Sequence, residues 1–242
     1  MITEREKTIE LADDTLILSH RCSEWLTRAP EIELDIAFGN IGLDLLGQAR
    51  SLYALVGDED QLAYFRDAPK WRNCTLVELP NGDFAFSMMR LLAFASYECA
   101  LFRTNPGSDD LKAIFAKALK EATYHLEHAE GWVLRLGDGT DVSHTKMQDA
   151  ADAVWPLLTE LCSAAPEVEQ RVRTQLADIL TAATPVSSTH LRAHETVLDL
   201  VCRLLLEKKK RFQTPHTSPN STIYPLLPAT PPRKGYSVTY HA

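Results

Sequence analysis

The sequence predicts an all-α fold, an antiparallel helical bundle. Three observations predict it. Apolar residues recur at alternating steps of four and three through long segments, the connections are short and turn-rich, and no strong strand run is present.

The first helix is expected over Leu11–Trp25, with apolar positions at Leu11, Leu16, Leu18, Cys22 and Trp25, ending near "RAPE". The second, Leu34–Leu55, is clearer: Leu34, Phe38, Ile41, Leu45, Leu52 and Leu55 form the stripe of a bundle helix, with Gln48 in the same row. "NGD" at Asn81–Asp83 marks a turn. Ser87–Arg103 is helical again, through Met88, Leu92, Ala95, Cys99 and Phe102. "NPGSDD" at Asn105–Asp110 links it to the next helix, with Ser108 placed to cap and Asp109 and Asp110 suited to a positive first turn. That helix is expected to run to Leu136 and stop at "GDG". Another follows "DVSHTK", interrupted at Pro156, and a last one spans Pro166–Thr181.

The bulk numbers narrow the function. A chain of 242 residues with 45% hydrophobic content can bury one sizeable core. Net charge −8 and a pI near 5.5 argue against nucleic acid as a partner, because phosphate binding needs basic clusters. The five cysteines are scattered with no C-x-x-C pair, which suits a reducing cytoplasm better than a disulfide or zinc framework. "MITEREKTIELADD" lacks the apolar core of a signal peptide, and no uninterrupted apolar run approaches a membrane span. A cytoplasmic protein with no membrane role is expected.

One stretch invites a metal. "EATYHLEHAE" sets Glu121, His125 and His128 on successive turns, within about 60° of one another at ~100° per residue. A carboxylate-bridged di-iron centre in a four-helix bundle takes Glu-x-x-His from each of two helices and one Glu from each of the others. None of the eight histidines has a Glu three positions before it, and none lies between His20 and His125. On the second helix the polar row reads Asn40, Asp44 and Gly47, so a glycine stands where an imidazole would be needed. Asp44, Gly47, Glu121 and His125 therefore read as a degenerate metal site. The expectation is a packed or hydrogen-bonded polar patch, with no catalytic, cofactor-binding or metal residue in this chain. A different reading is a stand-alone metalloprotein using Glu121 and His125 with carboxylates such as Glu24, Glu33 or Asp44. Glu98, inside an apolar helix, would need a partner if buried.

Two segments carry a resemblance. "APEIELDIAFGNIGLDLLGQARSLY" (Ala29–Tyr53) and "KEATYHLEHAEGWVLRLGDGTDVS" (Lys120–Ser143) closely resemble the C subunits of bacterial ring-1,2-phenylacetyl-CoA epoxidases. "DEDQLAYFRD" (Asp58–Asp67) and "NCTLVELPNGDFA" (Asn73–Ala85) resemble them in the same order. The resemblance covers roughly residues 10–180. It implies a ferritin-like bundle and membership of a multicomponent monooxygenase of phenylacetate catabolism. In such a system a sister chain, the A subunit, holds the di-iron centre and epoxidises the ring with O2, while a reductase supplies electrons from NADPH. The C subunit is implied to be a structural, non-catalytic partner of the A subunit. A scaffold for another acyl-CoA oxygenase is a further reading.

The ferritin-like domain is expected over residues 1–184, lacking the C-terminal helices the family resemblance implies. Six of the 13 prolines follow residue 211 with no apolar period, which predicts disorder there. "PVSSTHLRAHETVLDLVCRLLLEKKK" (Pro185–Lys210) resembles a translated sequencing-library adapter running into poly-A, so residues 185–242 are expected to be a non-native tail. The basic run Lys208–Arg211 is accordingly assigned no nucleic-acid or membrane role.

Overall fold

The computed structural model describes residues 3–104 and 107–183, all within the compact unit of residues 1–190. Expectations for residues 184–242, including the non-native tail and Lys208–Arg211, lie outside the described residues. Among the described residues there are helices and turns and no strands.

Four long helices make the bundle: α1 (Glu4–Ser23), α2 (Ile32–Val56), α5 (Phe84–Thr104) and α6 (Asp109–Gly137). Short helices α3 (Glu59–Ala63) and α4 (Thr75–Glu78) lie in the excursion from α2 to α5. After α6 come α7 (Asp141–Val154), α8 (Leu158–Leu161) and α9 (Glu169–Ala182). Side-chain contacts fix the directions. Arg5 reaches the Val56 carbonyl and Ser19 that of Gly42, so α1 and α2 are antiparallel. Phe84 meets Trp132 at one end of α5 and Phe102 meets Phe115 at the other, so α5 and α6 are antiparallel too.

α1 starts earlier than its apolar period suggests. Thr3 and Glu6 form a reciprocal capping box, which adds a polar first turn ahead of Leu11. α2 buries the expected stripe of Leu34, Phe38, Ile41, Leu45 and Leu52, each worth about 1.5–3 kcal/mol relative to exposure. Ser108 occupies the N-cap position of α6, but its side chain makes no capping bond; its backbone N–H instead reaches Glu4 Oε1 at 3.3 Å. The turn at Asn81–Asp83 forms as expected, with Gly82 at φ +59° and Asp83 accepting from the Phe86 N–H. Pro156 converts Trp155–Leu157 to a 3-10 turn, which divides α7 from α8.

α5 is the core helix, with residues 87–102 all buried. Arg90 and Glu98 interrupt the apolar run of α5, yet this 21-residue helix holds an 18-residue window of mean hydropathy 1.2, long and apolar enough by length and composition to cross a membrane. Its most apolar window is 89% buried inside the bundle, and a helix covered on every side needs that composition in water as well. At one end of the bundle Trp25 stacks on Phe38 at 5.4 Å, and Phe84 meets both edge-on.

Candidate functional site

The residues singled out by the sequence fall where α2 crosses α6. These helices run antiparallel, so His125 faces Asp44 and, one turn away, Glu121 faces Gln48. His125 is fully buried, with Nε2 3.3 Å from Oδ2 of the part-exposed Asp44. Burial lowers its pKa, and the nearby Asp44 carboxylate only partly opposes that. The neutral ring donates from Nε2 to Asp44 and leaves Nδ1 buried, without a partner among the described residues. Gln48 donates from Nε2 to Glu121 Oε2 at 2.9 Å.

His128 does not join this patch. Its ring stacks on Tyr124 with centroids 6.3 Å apart, and its Nε2 is buried and unpaired among the described residues. Burial, then the neighbouring His125 and Arg135, push its pKa down to about 4. Gly47 is exposed, and a Cβ there would meet nothing among the described residues within 4 Å. The α2 residue facing Glu121 is therefore Gln48, one position further on. Asn40 is likewise exposed and not inward. Glu24 lies at the end of α1, bonded to Arg21 and Asn81, and Glu33 in the first turn of α2; neither comes to Glu121 and His125.

Deeper in the bundle sit three acids, Glu98, Asp14 and Asp13. Glu98, on α5, is fully buried, and among the described residues neither carboxyl oxygen has a hydrogen-bond partner. Burial, then Glu121 and Asp14, hold its carboxyl well above the usual range. Asp14, on α1, accepts from the Cys74 N–H at 2.6 Å. Burial nevertheless pushes its carboxyl up to about 7. The signal for Asp14 and its neighbour Asp13 was available: two adjacent acids interrupt the apolar run Leu11–Leu18. Asp13 accepts from the Tyr53 hydroxyl at 2.5 Å, from Arg66 and from the Arg72 N–H, which ties the α2–α5 excursion to α1.

This donor set does not fit a carboxylate-bridged di-iron centre. Such a centre needs two imidazoles and four converging carboxylates. Here the one imidazole at the crossing is engaged by Asp44, and α2 offers an amide to Glu121 where a ligand would stand. Among the described residues no three His, Cys, Asp or Glu side chains are grouped so as to hold a metal ion. Chemically the crossing is a hydrogen-bonded polar seam between two bundle helices.

The chain is 48% identical over 165 residues to the C subunit of the 1,2-phenylacetyl-CoA epoxidase of Escherichia coli (strain K12). The match covers 65% of this chain and 66% of that relative's length, just under two thirds of each. The family model described as phenylacetic acid catabolic protein matches residues 3–194, which includes every described residue and runs past the boundary expected at 184. The resemblance carried by Ala29–Tyr53 and Lys120–Ser143 thus extends over the whole bundle, and the chain belongs to the phenylacetic acid catabolic protein family.

Proposed function

We propose that this chain is a structural, non-catalytic subunit of the multicomponent monooxygenase that epoxidises the ring of phenylacetyl-CoA in aerobic phenylacetate catabolism. It pairs with the catalytic A subunit, which holds the di-iron centre and draws electrons from NADPH through a reductase. The 48% identity to the C subunit of such an epoxidase supports the assignment to this system. The observation that carries the non-catalytic role is the Gln48–Glu121 hydrogen bond: a neutral amide faces the one carboxylate best placed to bind metal. The same bond, with His125 and Asp44 already paired, weighs against a stand-alone metalloprotein.

A metal-free partner has a physical task. The catalytic subunit must hold several carboxylates and imidazoles in fixed geometry, and a broad helical interface stiffens the helices that carry them. We place the complex in the cytoplasm, and the four described cysteines, all free and buried, support a reducing compartment.

Co-expression with the catalytic subunit tests the reading. The two chains are expected to co-purify, with iron found only in the catalytic chain. Near-stoichiometric iron in this chain purified alone would overturn the non-catalytic role. A catalytic subunit fully folded and active without this chain would overturn the structural one.

A further inference from the structure

α2 is apolar on two opposite sides. Its inward stripe is buried as described, yet Ile32, Ile36, Leu43 and Leu46 are 70%, 59%, 67% and 41% exposed. At ~100° per residue these four lie within an arc of about 80°, on the side away from Phe38 and Leu45. A helix apolar on both sides is normally covered on both sides. The outward row continues past the end of α2: Leu46 and Arg50 share a groove with Tyr64, and the exposed Phe65 follows. A second cleft, lined by Leu43, Gly47, Ile114 and Lys117, flanks the other side of the row. Leu43 and Leu46 thus stand as a ridge between two grooves, the relief that helix–helix packing uses.

Gly47 supports the same conclusion. A glycine inside a helix is less stable than alanine, and nothing among the described residues would obstruct a Cβ at this position. Its lack of a side chain leaves room for the close approach of another backbone to the outward face. The exposed aliphatic surface of the row is on the order of 400 Å2, as large as the largest patch on an ordinary monomer. With Tyr64 and Phe65 it approaches the ~800 Å2 per partner of a standard interface.

Charge selects the occupant. Asp44, Glu121, Glu59 and Asp60 line the two grooves beside this surface, against Lys117 and Arg50, and Arg50 is already paired with Glu59 at 2.9 Å. A second copy of this chain, with its net charge of −8, would set acid against acid. We infer that the outward face of α2, from Ile32 to Leu46 with Tyr64 and Phe65, is the docking surface for a different helical-bundle chain. That chain presents an apolar helix face with a basic rim. The inference rests on the reading of this protein as an assembly subunit, and the catalytic subunit is the chain to which it is assigned.

The test is co-expression of the full chain with the epoxidase catalytic subunit, followed by affinity capture. Leu43→Glu and Ile36→Glu are each expected to reduce captured catalytic subunit at least tenfold, with the melting temperature of the isolated chain unchanged. Val142→Glu, at an exposed position on α7, is the control and should capture normally. Raising salt should weaken capture, as a charged rim requires. If the unmodified chain captures its partner and both α2 variants do so equally well, the docking surface is wrong while the subunit reading stands. If the unmodified chain captures no catalytic subunit, the subunit reading itself fails. A self-associated dimer that Leu43→Glu dissolves would overturn the choice of occupant.

Discussion

The Tyr53 hydroxyl donates to Oδ1 of Asp13 at 2.5 Å, joining α2 to α1 through a fully buried carboxylate. Arg66 closes the same site, its guanidinium 4.4 Å above the Trp71 ring and bonded to both oxygens of Asp13. Asp13→Ala would leave Arg66 mostly buried without a counter-charge. A loss of about 3–5 kcal/mol is expected, read by urea unfolding. Tyr53→Phe removes one hydrogen bond and should cost about 1 kcal/mol. Equal effects from the two variants would show that Arg66 does not depend on Asp13.

Asp14 makes stability depend on pH in an uncommon direction. Its carboxyl is raised from 3.8 to about 7 in the folded state, so the fold favours the protonated form. Its contribution is complete below about pH 4 and is lost as pH rises through 7. Asp14→Asn keeps an oxygen for the Cys74 N–H and removes the charge. The variant is expected to be more stable than the parent at pH 8, by about 1–3 kcal/mol, with the difference vanishing near pH 4. Thermal melts of both proteins across that range measure it, and a variant less stable at pH 8 would contradict the assignment.

His128 acts with the opposite sign. Its folded pKa is depressed from 6.5 to about 4, so its contribution is present above 6.5 and lost as pH falls toward 4. His128→Phe preserves the stacking on Tyr124 and has nothing to protonate. Between pH 6.5 and 4 the parent should lose melting temperature relative to the variant; parallel curves would mean that His128 is not buried in the neutral form.

Gly137 is required by a neighbour, not by its backbone angle. A Cβ at this position would lie 2.6 Å from the Ala183 carbonyl oxygen and 2.7 Å from its Cβ, where the end of α9 meets the end of α6. Gly137→Ala must push those ends apart, at a cost of about 1–3 kcal/mol. Gly131→Ala, on the same helix with nothing among the described residues within 4 Å of the added carbon, is expected to stabilise by a few tenths of a kcal/mol to about 1 kcal/mol. Equal melting temperatures for the two variants would rule out the close contact.

Much of the fold is legible in the chain. The four-three row of α2 marks the face it buries, because a helix can hide a stripe only at that spacing; the row of α5 marks a helix but no face, since residues 87–102 are all buried. Asn81-Gly82-Asp83 announces its turn through the one residue type at ease with φ +59°. The start of α1 is missed from apolar spacing because its first turn is polar and held by the Thr3–Glu6 box, a signal of capping and not of burial. Near the candidate site, the residue census shows that the histidines are too few and wrongly spaced for two iron ions. It does not reveal that Gln48, and not Gly47, faces Glu121. The rotation of α2 against α6 decides that, and a shift of one position turns a side chain by about 100°.

The sequence by itself determined that this chain is a helical bundle, that it resembles an epoxidase subunit, and that it lacks the paired Glu-x-x-His motifs of a di-iron site. Only the tertiary structure decided how the remaining polar groups are used: His125 against Asp44, Gln48 against Glu121, Glu98 and Asp14 buried behind them. It also left the second apolar row of α2 facing outward. The reason is physical. Local spacing sets what one helix can bury, whereas the angle and register at which helices meet depend on every side chain packed between them.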